Sequence, residues 1–109
     1  MEVTQRMEKL RVMLCCGAGM SSGFMAQRVR AEAKKEKIDI QIEARSESQV
    51  PQYYGKFEYL LLGPHFANQL PIFQALGEKH GFKAAAIPPK IYGALDAKGL
   101  LELIRSMAE

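Results

Sequence analysis

The sequence predicts an α/β fold: a four-stranded parallel sheet in the order 2-1-3-4, with helices on both faces in three layers. Three observations carry that expectation. Short apolar runs alternate with longer segments rich in helix formers; the first run ends directly on glycines; and the first and third runs are the most continuously apolar, as central strands buried on both faces must be.

RVMLC (11–15) reads as a buried strand feeding a loop, and SGFMAQRVRAEAKKEK (22–37) as a helix with Met25, Val29 and Ala33 on one face. IDIQIEA (38–44) alternates strictly, placing Ile38, Ile40, Ile42 and Ala44 on one side, so this strand has a wet face or lies at an edge. Residues 45–57 are polar, carry Pro51 and Gly55, and read as a loop with a short helical turn. EYLLLG (58–63) is too apolar for an edge. FANQLPIFQALGEKHG (66–81) is helical; either its ordered part starts near Leu70 with Pro71 in the first turn, or it kinks at Pro71. FKAAAI (82–87) is the fourth strand and PPKIYGAL (88–95) a loop. DAKGLLELIRSMAE (96–109) closes the chain, with Asp96 as N-cap and Leu100, Leu103, Ile104 and Met107 on one face.

At 109 residues, 48% hydrophobic and 25% charged, the chain is expected to form one domain over 1–109, with residues 1–6 a loose tail. Its two cysteines are adjacent, a poor geometry for a disulfide, and read as reduced thiols. No run of about 18 apolar residues is present and the N-terminus is charged, so a cytoplasmic chain with no direct membrane insertion is expected. The net charge is +3, split as +4 over residues 1–37 and −1 over 38–109. A basic half serves nucleic acid, an anionic substrate or an acidic partner. No helix-turn-helix spacing, zinc-finger ligands or aromatics interleaved with basic residues accompany it, so nucleic acid is not the expected partner. His65, His80 and the two thiols lack paired ligand spacing; neither a metal nor a cofactor is expected.

In an open parallel sheet the ligand site lies beyond the carboxyl ends of the strands, where the strand order reverses. That point falls between strands 1 and 3, so CGAGMSS after strand 1 and GPHF after strand 3 should meet on one edge. Gly17, Ala18 and Gly19 allow a tight turn in which the N–H groups of residues 17–22 converge at a helix N-terminus. Such a nest binds a phosphate dianion and also lowers a thiol pKa. Cys15 ends the strand and is expected to pack between sheet and helix as a small hydrophobe; Cys16 opens the loop and is the expected nucleophile. The ATP-loop pattern fails because no lysine follows the glycines, and the dinucleotide pattern fails because Ser22 stands where its third glycine belongs.

The run CGAGMSS closely resembles the phosphocysteine loop of the IIB component of the bacterial sugar phosphotransferase system, lactose/cellobiose/chitobiose type. LLGPHFANQLP resembles that family's third strand and following helix, and IYG (91–93) its segment after strand 4, so the resemblance spans about residues 8–108. It implies a phosphoryl carrier in which Cys16 accepts the group from a phosphohistidine on a IIA partner. The carrier then passes it to a sugar, such as cellobiose, chitobiose or lactose, held by the membrane IIC partner. By position, Gly17, Ala18, Gly19, Met20, Ser21 and Ser22 would cradle the phosphoryl group. One departure is Pro88, which stands roughly where many members carry an acidic residue.

The competing reading is a low-molecular-weight tyrosine phosphatase or arsenate reductase of the C-x5-R type, which shares this architecture. There an arginine six residues after the cysteine clamps the phosphoryl oxygens. Here that position is Ser22, and no aspartate lies in PPKIYG to protonate a leaving group. Other polar residues have two readings each. His65 is a rim contact or an exposed loop histidine, and Tyr92 a rim or core residue. Arg28 and Arg30 form a solvated face or a docking patch. Ser22 is a phosphate donor, an N-cap, or both; for His80, capping of a helix end suffices.

Overall fold

The computed structural model describes residues 9–15 and 20–108, except for the side chains of residues 20–22. The expectations for the tail at 1–6 and for Cys16, Gly17, Ala18 and Gly19 therefore lie outside the described residues.

Four strands, β1 (Leu10–Cys15), β2 (Ile40–Arg45), β3 (Tyr59–Leu62) and β4 (Lys83–Ala86), form one parallel sheet in the order β2-β1-β3-β4, as the sequence predicts. The register aligns Cys15 with Arg45 on one side and Leu62 on the other. Helices α1 (Met20–Lys35), α2 (Leu70–His80), α3 (Pro89–Gly93) and α4 (Ala97–Ala108) connect or follow the strands. A 3-10 helix over Glu47–Tyr53 supplies the helical turn expected between β2 and β3. A second 3-10 helix, Pro64–Gln69, precedes α2, which starts at Leu70 with Pro71 in its first turn; the proline begins the helix and does not kink it.

Because side chains alternate along a strand, the sheet divides the core by residue parity. Val12, Leu14, Ile42 and Leu61 face one way and pack with Met25, Val29 and Ala33 of α1 and Leu100, Leu101 and Ile104 of α4. Met13, Cys15, Leu60 and Leu62 face the other way and pack with Val50, Phe57, Phe73 and Phe82. The sheet is thus the middle of three layers. Burial of both faces explains why β1 and β3 are continuously apolar, whereas β2, an edge strand, carries apolar residues at alternate positions.

Boundaries shift where local chemistry outweighs pattern. The segment 88–95, expected to be a loop, contains the short helix α3, because Pro88 and Pro89 preset its first turn. Helix α1 begins at Met20, before the predicted start, so Ser22 lies inside the first turn and is not the N-cap. Asp96 does cap α4: the Gly99 N–H donates to its carboxylate at 3.0 Å. Helix α2 ends on Gly81 at φ +85, a conformation that only glycine adopts without strain. The N–H groups of Gly81 and Phe82 both donate to the Gly77 carbonyl.

Candidate phosphoryl-transfer edge

All four strands are parallel, so their carboxyl ends share one edge, and the reversal of strand order falls between β1 and β3 as predicted. Strand β1 ends at Cys15 and α1 starts at Met20; only four residues connect a buried strand end to a helix N-terminus. The first N–H groups of α1 have no carbonyl four residues earlier within the helix to bond, and they carry the positive end of its dipole. No acidic residue occupies that first turn to neutralise it. Met20, Ser21 and Ser22 place their backbone there.

Cys15 has no exposed surface, and its side chain packs with Met13, Val50, Leu62 and Phe73. That is the face of the sheet opposite α1, whose apolar stripe packs on the other face. The prediction that Cys15 fills the core holds, and parity supplies a further point: its sulfur is directed away from the side on which the α1 N-terminus sits. The Cys15 carbonyl accepts from the Gly63 N–H at 2.8 Å, and the Leu62 carbonyl from the Ile87 N–H at 2.8 Å, so the carboxyl ends of β1, β3 and β4 are held side by side.

Three segments frame this edge. After β3, buried Gly63 leads into the 3-10 helix that carries His65, which is exposed. After β4, Ile87 is buried and Pro88 exposed. Ile91 and Tyr92 of α3 are half-buried against the α1/α4 core, so Tyr92 has the packing half of its two readings. After β2, Arg45 does not extend outward. Its Nε donates to the Tyr53 hydroxyl at 3.1 Å and its guanidinium pairs with Glu43 at 2.5 Å. The bond to Tyr53 is the main cause that raises its pKa above the ordinary arginine value; Glu43 adds to it.

The arginines of α1 do more than form a solvated face. Arg28 Nε donates to the Leu95 carbonyl at 3.1 Å, tying the third turn of the helix to the α3–α4 connection, where Leu95 holds a φ of +52. Arg30 donates to the Ile42 carbonyl at 2.6 Å and Arg45 to the Ala44 carbonyl at 3.1 Å. Leu10 bonds the Asp39 carbonyl, so in a parallel ladder the groups of residues 40, 42 and 44 point away from β1. Two arginines therefore cover the outward carbonyls of the β2 edge. Sequence reasoning missed these tethers, since neither acceptor is a side chain. His80 is remote, at the amino edge: Gly81 closes the helix, and the His80 ring stacks on Tyr54 with centroids 3.8 Å apart.

Residues 11–103 match the family model described as "PTS system, Lactose/Cellobiose specific IIB subunit". The chain belongs to that family. Two solved structures are similar to it. The cellobiose-specific phosphotransferase IIB component protein from Borrelia burgdorferi is 26% identical, with 92% of each chain covered and a TM-score of 0.74. The lactose-specific IIB component domain of the phosphoenolpyruvate:carbohydrate phosphotransferase system from Streptococcus pneumoniae aligns over 94% of this chain and all of that one, with a TM-score of 0.84; at 14% identity that likeness shows the fold alone. As a IIB subunit, the chain is a component of a sugar phosphotransferase system. Among the described residues, no helix is long and apolar enough to cross a membrane.

Proposed function

We propose that this IIB subunit is a phosphoryl carrier whose covalent intermediate forms on Cys16. A phosphohistidine on the IIA partner donates; the Cys16 thiolate attacks phosphorus, the P–N bond breaks as the P–S bond forms, and the imidazole leaves. In the second step a hydroxyl oxygen of a sugar held by the IIC partner attacks phosphorus, the P–O bond forms as the P–S bond breaks, Cys16 leaves as its thiolate, and the hydroxyl proton passes to a base of the IIC partner or to water. The sugar class that fits the family is a β-linked disaccharide such as cellobiose, chitobiose or lactose.

The observation that carries this reading is the opposed placement of Cys15 and the α1 N-terminus. Cys15 is sealed into the core on the face away from α1, so of the chain's two thiols only Cys16 remains for the connection that enters the helix. There the helix dipole and the first N–H groups of the helix, which have no partner within it, favour a thiolate and then the phosphoryl dianion, the role that donors aimed at developing charge play in phosphoryl transfer. Gly17, Ala18 and Gly19 supply the small backbone that close approach requires, and Met20, Ser21 and Ser22 the first helical N–H groups. His65 lies on the 3-10 helix after β3 and Tyr92 on α3 after β4.

A hydrolase of the C-x5-R type gains no support, because Ser22 cannot clamp phosphoryl oxygens as a guanidinium does. The test is incubation with phosphoenolpyruvate, the general phosphotransferase proteins and a IIA subunit, followed by mass-spectrometric mapping. Phosphate on Cys16 that is discharged only by sugar and the IIC partner is expected. Label on another residue, or rapid release of phosphate without sugar, overturns the reading.

A further inference from the structure

Charge is shared unequally between the two helical layers. On the face of the sheet built by Val12 and Leu14, α1 and α4 pack side by side and carry Arg28, Arg30, Lys34, Lys35, Lys98 and Arg105 against Glu32 and Glu102. On the opposite face, α2 and the two 3-10 helices carry Lys79 against Glu47 and Glu78. All six cations of the α1/α4 layer are exposed. Helical spacing sorts α1 further. Met25, Val29 and Ala33 turn to the core, so Phe24, Gln27, Arg28, Ala31, Lys34 and Lys35, at i, i+3, i+4, i+7, i+10 and i+11, form its outer stripe, and each of them is exposed. That stripe holds three cations, an aromatic ring with 53% of its surface in water, and no acid. Glu32 lies off the stripe, half-buried and 3.8 Å from Lys35 Nζ, and its hydrogen bond with Glu36 raises the Glu36 carboxyl above the ordinary value. Lys98 and Arg105 act on the Glu36 carboxyl in the opposite sense, which places cations of α4 beside the end of α1. Bonds to the Leu95 and Ile42 carbonyls hold Arg28 and Arg30 in place.

We infer that the α1/α4 face rests on an anionic phospholipid surface, with lipid phosphates as the ligands of its lysines and arginines. The inference takes one point from the carrier reading, that the acceptor is held in a membrane, and otherwise goes beyond it. A basic helical face that also presents an exposed aromatic ring has the composition that settles in the headgroup layer, and each lysine or arginine near an anionic leaflet adds to the attraction. Nucleic acid fits less well. A duplex needs cations that follow a line of phosphates, whereas these spread over two helices lying against one sheet, a layout that meets a plane. The helices lie along the sheet, so the face they present is parallel to it and the carboxyl edge opens at its side. A carrier resting on this face keeps that edge accessible, and its local concentration beside a membrane acceptor rises without a new protein contact.

The experiment is co-sedimentation with protein-free vesicles, of phosphatidylcholine alone and with about 30% phosphatidylglycerol, in low and high salt. The chain is expected to bind only the phosphatidylglycerol vesicles and to be released as salt screens the attraction. Lys34→Glu with Lys35→Glu is expected to weaken binding at least about tenfold. Lys56→Glu with Lys79→Glu makes the same change in net charge on the other layer and is expected to weaken it less than about twofold. All four lysines are exposed, so circular dichroism should give both pairs the parent's unfolding midpoint. Absence of sedimentation with phosphatidylglycerol vesicles overturns the inference. Equal binding to phosphatidylcholine, or equal losses in the two lysine pairs, overturns it as well, because no charged face is then involved. Tighter binding to a short RNA duplex at the same salt, lost in the Lys34/Lys35 pair, also overturns it and assigns the face to nucleic acid. The vesicles contain no IIA, IIC or phosphoryl group, so failure of Cys16 to label would remove the carrier reading and leave the vesicle result standing.

Discussion

Cys15 is fully buried in the core cluster that also holds Met13, Val50, Leu62 and Phe73. Replacing it with serine is expected to leave Cys16 labelling largely intact while destabilising the fold by about 1–2 kcal/mol, the usual cost of burying a hydroxyl in an apolar site. Urea denaturation beside the labelling assay checks both halves. Cys16→Ser is expected to abolish labelling with little change in the denaturation midpoint. The reverse pattern, with labelling lost only at Cys15, would contradict the roles given to the pair. At this scale the sequence was legible for Cys15, which strand alternation marks as an inward residue. It was not legible that Cys15 faces away from α1, because parity relative to a distant helix depends on which face that helix covers.

Helix ends show the opposite balance between pattern and packing. Asp96 was readable as a cap from its place before an amphipathic run, and Asp96→Ala is expected to cost about 1 kcal/mol, seen as a lower melting temperature. Gly77 was not readable, being a glycine in the middle of a helix. A Cβ there would run into the backbone carbonyl of Phe82, which folds back over the helix end after the left-handed turn at Gly81. Gly77→Ala is therefore expected to destabilise by about 1–3 kcal/mol, although alanine favours an unconstrained helix by roughly 1 kcal/mol. A stabilised variant would show that the α2–β4 corner yields easily. The bonds of Arg28 to Leu95 and Arg30 to Ile42 belong to this scale too. Their acceptors are backbone carbonyls far away in sequence, and no pattern of side chains announces them.

Across the molecule, β1 and β3 are shared by both cores. Leu61 and Leu60 are fully buried neighbours that face opposite layers. Either Leu→Ala change is expected to cost about 2–5 kcal/mol, a large share of the roughly 5–15 kcal/mol of a typical domain. Both variants should keep a single unfolding transition by circular dichroism and fluorescence, because the sheet couples the layers. Two separated transitions would mean that the faces unfold independently.

The sequence by itself determined the alternation of strands and helices, the strand order, the edge at which β1 and β3 end, and the family whose loop CGAGMSS resembles. These follow from local rules: apolar period, glycine and proline positions, and the handedness of crossovers. Tertiary structure alone decided which core receives Cys15, that 88–95 carries a helix, that arginines cover the outward carbonyls of β2, and that Phe24 and Ile72 face water. Each of these depends on what lies opposite a residue in space. A periodic pattern fixes the direction of a side chain relative to its own strand or helix, whereas its partner is fixed only when the layers close.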